Sequence, residues 1–335
     1  MSLVIQQQIA AGKFHGIVRD LPSELYHAAP ALSQSGLGEM EVSPAHYQAS
    51  IFVPRKQTPA MWLGTMVDMA VLETEKFKRN FAVAPRKEVH PEVLDTVDQL
   101  KAKCASLGLP VSGAKAALIT RIKEKDQDAK FWDEFLVQQM DGKEPIDPED
   151  MAKIEGMADA LLSHSFASSL FKLSESQVSG FTIDSETGLV RKGRADMIFE
   201  RSGVIGDLKC SGIEGIFRDK RDMSKHLYDM RYHWQAAFYL DLFSDLYGKK
   251  FGHFANVFVH DKATMRIVKP GTFPKLTFPI VIPRLREPSL DLARSQYAPL
   301  VERFIECRKT GEWLGFPEGI QEVDVPDWAF SHGVV

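Results

Sequence analysis

The segment between Lys192 and Cys210 constrains the fold of this 335-residue chain more than any other part of it. It contains two short apolar runs, residues 195–199 and 203–208, and the polar turn 200–202 separates them. Two such runs around a short polar turn are the sequence pattern of a β-hairpin. Since 44% of the residues are hydrophobic, the chain can bury a substantial core on a sheet that contains this hairpin. The segment therefore predicts a sheet around which the rest of the chain is arranged.

The predicted hairpin carries three charged side chains close to one another. Successive side chains of a strand point to opposite faces, so Asp207 and Lys209 should share one face while Leu208 points to the other. Asp196 lies on the partner strand, at about the same distance from the turn as Asp207. We therefore expect two carboxylates and one ammonium to meet at one edge of the sheet.

This charged group has two interpretations. Mg²⁺ takes hard oxygen ligands and commonly uses one or two protein carboxylates, with water and substrate phosphate in the other positions. A bound metal activates water and neutralises phosphate charge, and Lys209 is placed to hold the attacking water. An Asp-x-Lys pattern is also common as a structural salt bridge at a sheet edge. The spacing alone leaves both a metal-dependent phosphodiesterase and a structural ion pair open.

Longer stretches of the chain resemble a known family. Asp196 followed by Asp207-Leu208-Lys209 resembles the signature of the PD-(D/E)xK nucleases, and the flanking residues resemble the RecE-type (exonuclease VIII-like) relatives of lambda exonuclease. Other segments match motifs of that family in the same order, and they are residues 26–37, 43–47, 63–68 and 233–239. The resemblance extends over nearly the whole chain.

The resemblance implies a fold, a reaction and partners. The fold would be an α/β restriction-endonuclease-like core, with a central mixed sheet flanked by helices. The activity would be a Mg²⁺-dependent exonuclease on double-stranded DNA ends, working 5′ to 3′ and leaving 3′ single strands for phage-type recombination. Mn²⁺ would substitute for Mg²⁺. The partner would be a RecT-like single-strand annealing protein, and the assembly a homo-oligomeric ring. The protein would act in the cytoplasm of a bacterial or phage-infected cell.

The resemblance also assigns roles to individual residues. The implied catalytic residues are Asp196, Asp207, Lys209, Gln235 and Tyr239. Asp196 and Asp207 would bind the metal, with the Leu208 carbonyl as a third ligand, and Lys209 would position or activate water. Gln235 and Tyr239 lie four residues apart on one predicted helix face, where they would contact the metal-bound water, Lys209 or DNA. A buried structural Gln–Tyr pair is the alternative.

Two further sites each have two interpretations. Many relatives carry His where this chain has Asp68, which could bind Mg²⁺ directly or through water, or serve as a paired structural residue. Ser33 or Ser35 could hold a DNA phosphate at the start of a helix over residues 32–40, or act only as a helix cap.

Residues 92–127 interrupt the family pattern. They divide the predicted nuclease core into an N-terminal part, 1–91, and a catalytic part, 128–335. Their apolar spacing predicts two amphipathic helices around the loop 108–113, which resembles the small SAP DNA-binding domain. The expected phosphate contacts are the basic residues Lys101, Lys103, Lys115, Arg121 and Lys123. A helical hairpin that contacts only protein is the alternative.

Patterns elsewhere predict the remaining elements. Helices are expected from Ser43 onward and over 58–73, 147–164, 231–246 and 290–311, and strands over 254–260 and 265–268. The polar segment 217–228 is expected to be mobile and to flank the site.

Charge and cysteine content exclude several classes of protein. The net charge is −4, so any DNA contact must come from a local basic patch. The three cysteines are far apart and form no zinc, disulfide or iron–sulfur pattern. No Gly-(x)4-Gly-Lys-Ser/Thr loop occurs, so a nucleotide-driven helicase is not expected. Without a signal-peptide pattern or a run of about 18 apolar residues, the chain is expected to be cytoplasmic with no membrane span.

Two alternatives to an exonuclease stay open from the sequence. A structure-specific or nicking endonuclease would use the same core, because the metal site alone does not set the polarity of cleavage. A DNA-binding protein without catalysis belongs to another class, but such a protein need not keep the complete set of Asp196, Asp207 and Lys209.

Overall fold

The computed structural model describes residues 1–53, 56–266 and 275–326. The strands in this part of the chain are β1 Gly16–Val18, β2 Phe81–Val83, β3 Val93–Leu94, β4 Lys130–Phe131, β5 Glu144–Ile146, β6 Glu175–Ile183, β7 Val190–Phe199, β8 Val204–Ser211, β9 His253–His260, β10 Thr264–Arg266, β11 Lys275–Thr277 and β12 Ile280–Val281.

The helices in the described residues are α1 Leu3–Ala10, α2 Ser23–Ala28, α3 Gln34–Val42, α4 Pro44–Phe52, α5 Pro59–Leu72, α6 Thr74–Asn80, α7 Val97–Ser106, α8 Lys115–Lys125, α9 Trp132–Met140, α10 Pro148–Ser163, α11 Ser165–Leu173, α12 Glu214–Arg218, α13 Lys220–Asp229, α14 Tyr232–Tyr247 and α15 Glu287–Thr310. Short 3₁₀ turns span Lys87–Val89 and Glu200–Ser202. Within these ranges, no helix combines the length and the apolar character that crossing a membrane requires.

A six-stranded mixed sheet forms the centre of the described structure, in the order β1-β6-β7-β8-β9-β12. Neighbouring strands are antiparallel except β8 and β9, which are parallel. The other strands form the two-stranded pairs β2-β5, β3-β4 and β10-β11. The predicted hairpin is β7 and β8, so the segment that most constrains the sequence lies in the middle of the sheet.

Helices cover both faces of the sheet, as the α/β expectation requires. On one face, α3, α14 and α15 pack with Ile198, Ile205 and Phe254. On the other face, α5, α10 and α11 pack with Met197 and Leu208. Adjacent residues such as Met197 and Ile198 therefore enter opposite cores, which is the alternation of a strand buried on both sides.

Helix caps that are visible in the sequence set several of the helix starts. Ser43 caps α4 through a hydrogen bond from His46 N, with Pro44 in the first turn. Thr58 and Pro59 start α5, and Asp147 and Pro148 start α10, in the same way. The helices predicted over 58–73 and 147–164 are thus confirmed to within a residue or two.

Two cross-strand glycines allow α14 to approach the sheet closely. Gly180 of β6 lies opposite Gly193 of β7. A Cβ atom at position 193 would lie 2.8 Å from Leu242 Cδ2 and 3.2 Å from Tyr239 Cε1, and one at 180 would lie 2.6 Å from Leu246 Cδ1. Because glycine has no side chain, α14 can lie this close to the strand that carries Asp196.

The segment between the two core parts forms its own small cluster. Helices α7 and α8 bury Leu100, Cys104, Leu118 and Ile122 against Phe131 of β4. The capping box of Thr96 and Gln99 starts α7. The predicted helix–loop–helix is present, whereas the domain boundaries at 91 and 127 stay a prediction.

One segment differs from its expected form, and another is described only in part. Residues 217–228, expected as a mobile segment, lie within α12 and α13, because Ile216, Met223 and Leu227 supply an apolar side that packs on Phe258. The strand predicted over 265–268 overlaps β10, which ends at Arg266, and residues 267–268 lie outside the described ranges.

Candidate active site

Strands β7 and β8 separate at the charged residues. They pair from Phe199↔Val204 to Met197↔Gly206, and the next residues along the two strands are Asp196 and Asp207. At this point Asp196 Oδ2 accepts a hydrogen bond from Leu208 N at 3.0 Å. A side-chain carboxylate thus takes the place of a backbone acceptor, and it fixes the point where the hairpin opens.

Asp207 is buried and held from two sides. Only 4% of its surface is exposed. Gln235 Nε2 of α14 donates to Asp207 Oδ1 at 2.6 Å, and Lys209 Nζ lies 2.5 Å from Asp207 Oδ2. Oδ2 is thus a buried oxygen that faces the Lys209 ammonium. The structure therefore brings Asp196, Asp207, Lys209 and Gln235 together, as the sequence predicted.

Burial and mutual repulsion shape the protonation of this cluster. Burial, followed by the charge of Asp207, raises the pKa of Asp196 to about 7. Burial alone would lower the pKa of Lys209, but the nearby Asp207 and Asp196 charges outweigh it and raise that pKa. Lys209 therefore stays a protonated cation beside Asp207.

Tyr239 completes the inner side of the site. It lies one helical turn after Gln235, and the Cβ position of Gly193 would be 3.2 Å from its ring. Burial and then the Asp207 charge raise the pKa of its phenol, so Tyr239 stays a neutral hydroxyl. The predicted Gln–Tyr pair is thus at the carboxylates.

Asp68 approaches the cluster from α5, which covers the opposite face of the sheet. Burial and then the Asp196 charge raise the pKa of Asp68 well above its ordinary value, with Asp207 adding to the effect and Lys209 opposing it. Asp68 is therefore close enough to sense all three charged residues of the hairpin. Its role as a metal ligand stays a prediction.

The donor set suits a hard divalent cation with few protein ligands. Among residues 1–53, 56–266 and 275–326, no group of three or more His, Cys, Asp or Glu side chains is arranged to hold a metal ion. Mg²⁺, however, commonly takes only one or two carboxylates and keeps its waters. The carboxylates of Asp196 and Asp207 are two hard oxygen donors at the point where β7 and β8 separate, and they fit such an ion. Coordination by Asp68 and the Leu208 carbonyl is an expectation that the geometry leaves untested.

Two residues of the site were missed by the sequence reasoning. Gln177 of β6 has φ of +53°, and its Nε2 lies 3.4 Å from Asp196 Oδ1. The ring of Tyr232, the first residue of α14, lies 5.3 Å from Lys209 Nζ in a cation–π contact. Tyr232 was within reach of a helix-based argument, whereas nothing in the sequence around Gln177 indicates its left-handed backbone.

The start of α3 is anchored on the open side of β7. Leu32 N donates to Val190 O at 2.8 Å, and Lys192 N donates to Leu32 O at 2.9 Å. Ser33 Oγ accepts from Gly36 N at 3.2 Å and lies 3.0 Å from Ser35 Oγ. The cap function of Ser33 is present in the structure, and phosphate binding by Ser33 or Ser35 stays a prediction.

A buried lysine ties the preceding turn to the same strand. Lys192 Nζ donates to the carbonyl oxygens of Tyr26, His27 and Ala29 at 2.8, 3.1 and 2.8 Å. Burial lowers the pKa of this ammonium to about 8. The carbonyls at the end of α2 are thus satisfied by β7, which carries Asp196 four residues further on.

Most of the basic residues proposed to bind DNA in the segment 92–127 have partners within the protein. Lys103 pairs with Asp126 at 2.6 Å, Lys115 with Asp95 at 3.3 Å, and Lys123 with Glu134. Arg121 Nη1 donates to Pro110 O at 2.8 Å and Ser112 O at 2.6 Å, so it holds the loop between α7 and α8. Lys101 is exposed, and no ion pair is found for it in the described part of the chain.

Comparison with known proteins identifies the family. Residues 33–264 match the family described as a PDDEXK-like domain of unknown function, DUF3799. The match spans more than half of the chain, so the chain belongs to this family of PDDEXK-like domains. The matched range includes the hairpin, α5 and α14, and therefore every residue of the cluster described above.

Solved structures give only distant similarity. A protein from Eubacterium rectale, whose given name proposes an exonuclease, shows 14% identity and a TM-score of 0.49, covering 95% of this chain and all of its own. A protein named SSO0001 shows 14% identity and a TM-score of 0.22, covering 70% of this chain and 85% of its own. No curated protein matches the sequence.

Proposed function

We propose that the protein is a divalent-metal-dependent nuclease that hydrolyses phosphodiester bonds of DNA at the fork between β7 and β8. The observation that supports this most is the joint placement of Asp196, Asp207 and Lys209 at the point where the two strands separate and Asp196 accepts from Leu208 N. Membership of a PDDEXK-like family agrees with it. Mg²⁺ is the expected ion, and Mn²⁺ would substitute.

The chain's own residues prepare the site for such a reaction. Asp196 and Asp207 would hold the metal, which when bound supplies Lewis acidity that neutralises a phosphodiester and makes water more acidic. Gln235 fixes the orientation of Asp207 through Oδ1 and leaves Oδ2 toward Lys209. The Lys209 ammonium would donate to the attacking water or to the scissile phosphate, and Tyr232 limits where it can move. These side chains are in place before substrate binds, which is the main contribution of a preorganised site.

The finer assignment concerns the substrate and the reaction product. We propose an exonuclease on double-stranded DNA ends, degrading 5′ to 3′, that leaves 3′ single strands for recombination with a RecT-like annealing protein. A cytoplasmic homo-oligomeric ring would be the working form. Residues 92–127 would be a SAP-like module that adds duplex contacts between the core parts 1–91 and 128–335. Support for these statements is the motif resemblance of the sequence.

A digestion assay tests the proposed function. End-labelled linear duplex and covalently closed circular DNA are incubated with Mg²⁺ and the full chain, and with Asp207→Asn as the control. An exonuclease degrades only the linear DNA, with the 5′ label released first. Nicking of the circle would identify an endonuclease instead. No cleavage of either DNA in Mg²⁺ or Mn²⁺ would overturn the proposal, and retained affinity for duplex would then indicate a DNA-binding protein without catalysis.

A further inference from the structure

A groove lined by basic residues lies beside the active site, and none of the roles above uses it. One hollow of about 640 Å³ opens between α12–α13 and the segment 281–292. A second of about 700 Å³ lies against the start of α15. Arg284, Leu285 and Arg286 line both hollows, so the two are neighbours, and together they are called here the basic groove.

Positive charge dominates the rim of the basic groove. Its cations are Arg218, Lys220, Lys250, Arg284 and Arg286. No ion pair is found for any of these five within the described ranges, and the Arg284 guanidinium lies 3.1 Å from His253 Nδ1.

The two acidic residues on the rim are already engaged. Asp219 accepts from Arg221 N at 2.7 Å as the cap of α13, and its other oxygen lies 3.6 Å from Arg221 Nη2. Glu287 lies 3.4 Å from Arg294 Nη1. The groove therefore keeps an excess of uncompensated positive charge in a chain whose net charge is −4, and this favours a polyanion.

The floor of the groove is apolar and aromatic. Side chains of Ile216, Met223 and Leu227 line it, together with the rings of Phe217 and Tyr228. Tyr228 is 46% exposed and stacks on His233, with ring centroids 5.2 Å apart. A cationic rim around aromatic surface binds single strands well, because phosphates meet the cations while bases stack on the rings. In a duplex the faces of the bases are stacked on one another, so its bases cannot stack on the aromatic rings of this floor.

The groove reaches the active site through the start of α14. His233 lines the groove, and the preceding residue, Tyr232, places its ring 5.3 Å from Lys209 Nζ. A nucleic-acid strand in the groove would therefore pass beside His233, whose neighbour in the chain, Tyr232, contacts Lys209.

We propose that the basic groove binds a single-stranded segment of the nucleic acid on which the active site acts. This inference rests on the proposed function for the identity of the ligand. The binding itself needs no hydrolysis, so it can be measured in the absence of divalent metal.

The test compares charge-reversal variants of the full chain in EDTA. Arg284→Glu with Arg286→Glu alters one wall, and Arg218→Glu with Lys220→Glu alters the other. Lys172→Glu with Arg201→Glu is the matched control, because both of these cations are exposed and line neither hollow. The probes are a fluorescent oligothymidylate and a blunt duplex, titrated across a salt series.

We expect each groove variant to bind oligothymidylate at least tenfold more weakly at low salt, with the control unchanged. For two lost phosphate contacts, the slope of log affinity against log salt should fall by about 1.4. Duplex affinity should change much less. Unchanged oligothymidylate affinity, or an equal loss for duplex, would overturn the assignment to a single strand. Tight binding of polyglutamate in place of oligothymidylate would assign the groove to an acidic protein segment and would equally overturn it.

The outcome is separable from that of the proposed function. If the wild-type chain binds oligothymidylate through the groove but cleaves no DNA, the hydrolytic proposal fails and the groove stands. If the wild-type chain cleaves DNA and the groove variants bind like wild type, only the groove assignment fails.

Discussion

Asp207 and Lys209 are the residues on which hydrolysis should depend most directly. We expect Asp207→Asn and Lys209→Met each to lower the cleavage rate by at least about 10³-fold, a loss of roughly 4 kcal/mol of transition-state stabilisation. Asn keeps the shape of Asp207 and Met keeps most of the length of Lys209, so the fold should survive.

Initial rates on linear duplex, beside circular dichroism spectra, would measure this. Asp159→Asn, an exposed carboxylate on α10, is the control and should behave as wild type. Wild-type cleavage rates in either variant would show that the hairpin does not form the active site.

Gln177 offers a separable test, because its backbone and its side chain make different contributions. A left-handed backbone costs a non-glycine residue about 1–2 kcal/mol. Gln177→Gly should therefore keep or raise the melting temperature, while it removes the contact to Asp196 and lowers the cleavage rate. Gln177→Val should lower both, because a β-branched residue tolerates positive φ poorly.

Rates measured over a range of Mg²⁺ concentrations, together with melting curves, distinguish the two contributions. Full activity in Gln177→Gly would show that only the backbone matters at this position.

The raised pKa of Asp196 gives a pH dependence of stability. The folded protein holds a proton on Asp196 up to about pH 7, whereas the unfolded chain releases it near pH 4. This contribution to stability is fully present below about pH 4, and it is lost as the pH rises to about 7, at up to roughly 1.4 kcal/mol per pH unit.

The metal-free protein should therefore melt at a higher temperature at pH 5.5 than at pH 7.5. Asp196→Asn should reduce that difference, and denaturation in EDTA across this pH range measures it. Equal pH dependence in the two proteins would exclude Asp196 as its source.

At the residue scale, the sequence predicted which side chains lie at the site where the regular alternation of strand or helix faces decides their position. Asp196, Asp207 and Lys209 follow from a two-residue period and a short turn. Gln235 and Tyr239 came from the family resemblance, and helical spacing added only that they share one face. Gln177 could not be predicted, since its contact with Asp196 arises from the pairing of β6 with β7 and no local sequence signal marks its positive φ. The partners of Lys103 and Lys115 also come from tertiary structure, so a basic run alone does not reveal which charges are free.

At the element scale, the distance between α14 and the sheet should be sensitive to a single methyl group. We expect Gly193→Ala to destabilise the protein by about 1–3 kcal/mol through overpacking. It should also lower the cleavage rate, because Tyr239 and Leu242 must move and α14 carries Gln235. Gly252→Ala is the matched control, as its Cβ would meet nothing within 4 Å.

Urea denaturation and initial rates on the same preparations would measure both effects. Equal stability of the two alanine variants would mean that α14 adjusts without cost.

Elements with a local cap or an apolar period were predictable, and those that depend on distant partners were not. Ser43, Thr58 and Asp147 mark their helices in the sequence. The two-residue strands β3 and β4 carry no such signal, because each forms only when the other arrives from more than 30 residues away. Helices α12 and α13 were missed because their polar composition hides the few apolar residues that dock on Phe258.

At the scale of the whole molecule, the segment 92–127 should contribute binding and not chemistry. Lys101 and Lys125 are exposed, and no ion pair is found for either in the described ranges. We expect Lys101→Glu with Lys125→Glu to reduce the salt slope of duplex affinity by about 1.8, for two phosphates. The rate at saturating DNA should be unchanged. Arg121 is avoided because it holds the loop 108–113.

Duplex affinity across a salt series and saturation kinetics would measure this, with Lys172→Glu plus Arg201→Glu as the control. Slopes equal to wild type would mean that this segment contacts protein and that the SAP-like interpretation of its function is wrong.

The parallel pairing of β3 with β4 also bears on how this chain could have been assembled. Val93 lies opposite Lys130 and Leu94 opposite Phe131, so the chain leaves and returns at almost the same place. Between these two points, helices α7 and α8 bury their apolar residues mostly against each other. A gene encoding such a chain can gain, lose or exchange the intervening codons in a single recombination event, since a linker of a few residues would span the gap. Sister lineages should therefore differ in this segment while their hairpin, α5 and α14 stay alike.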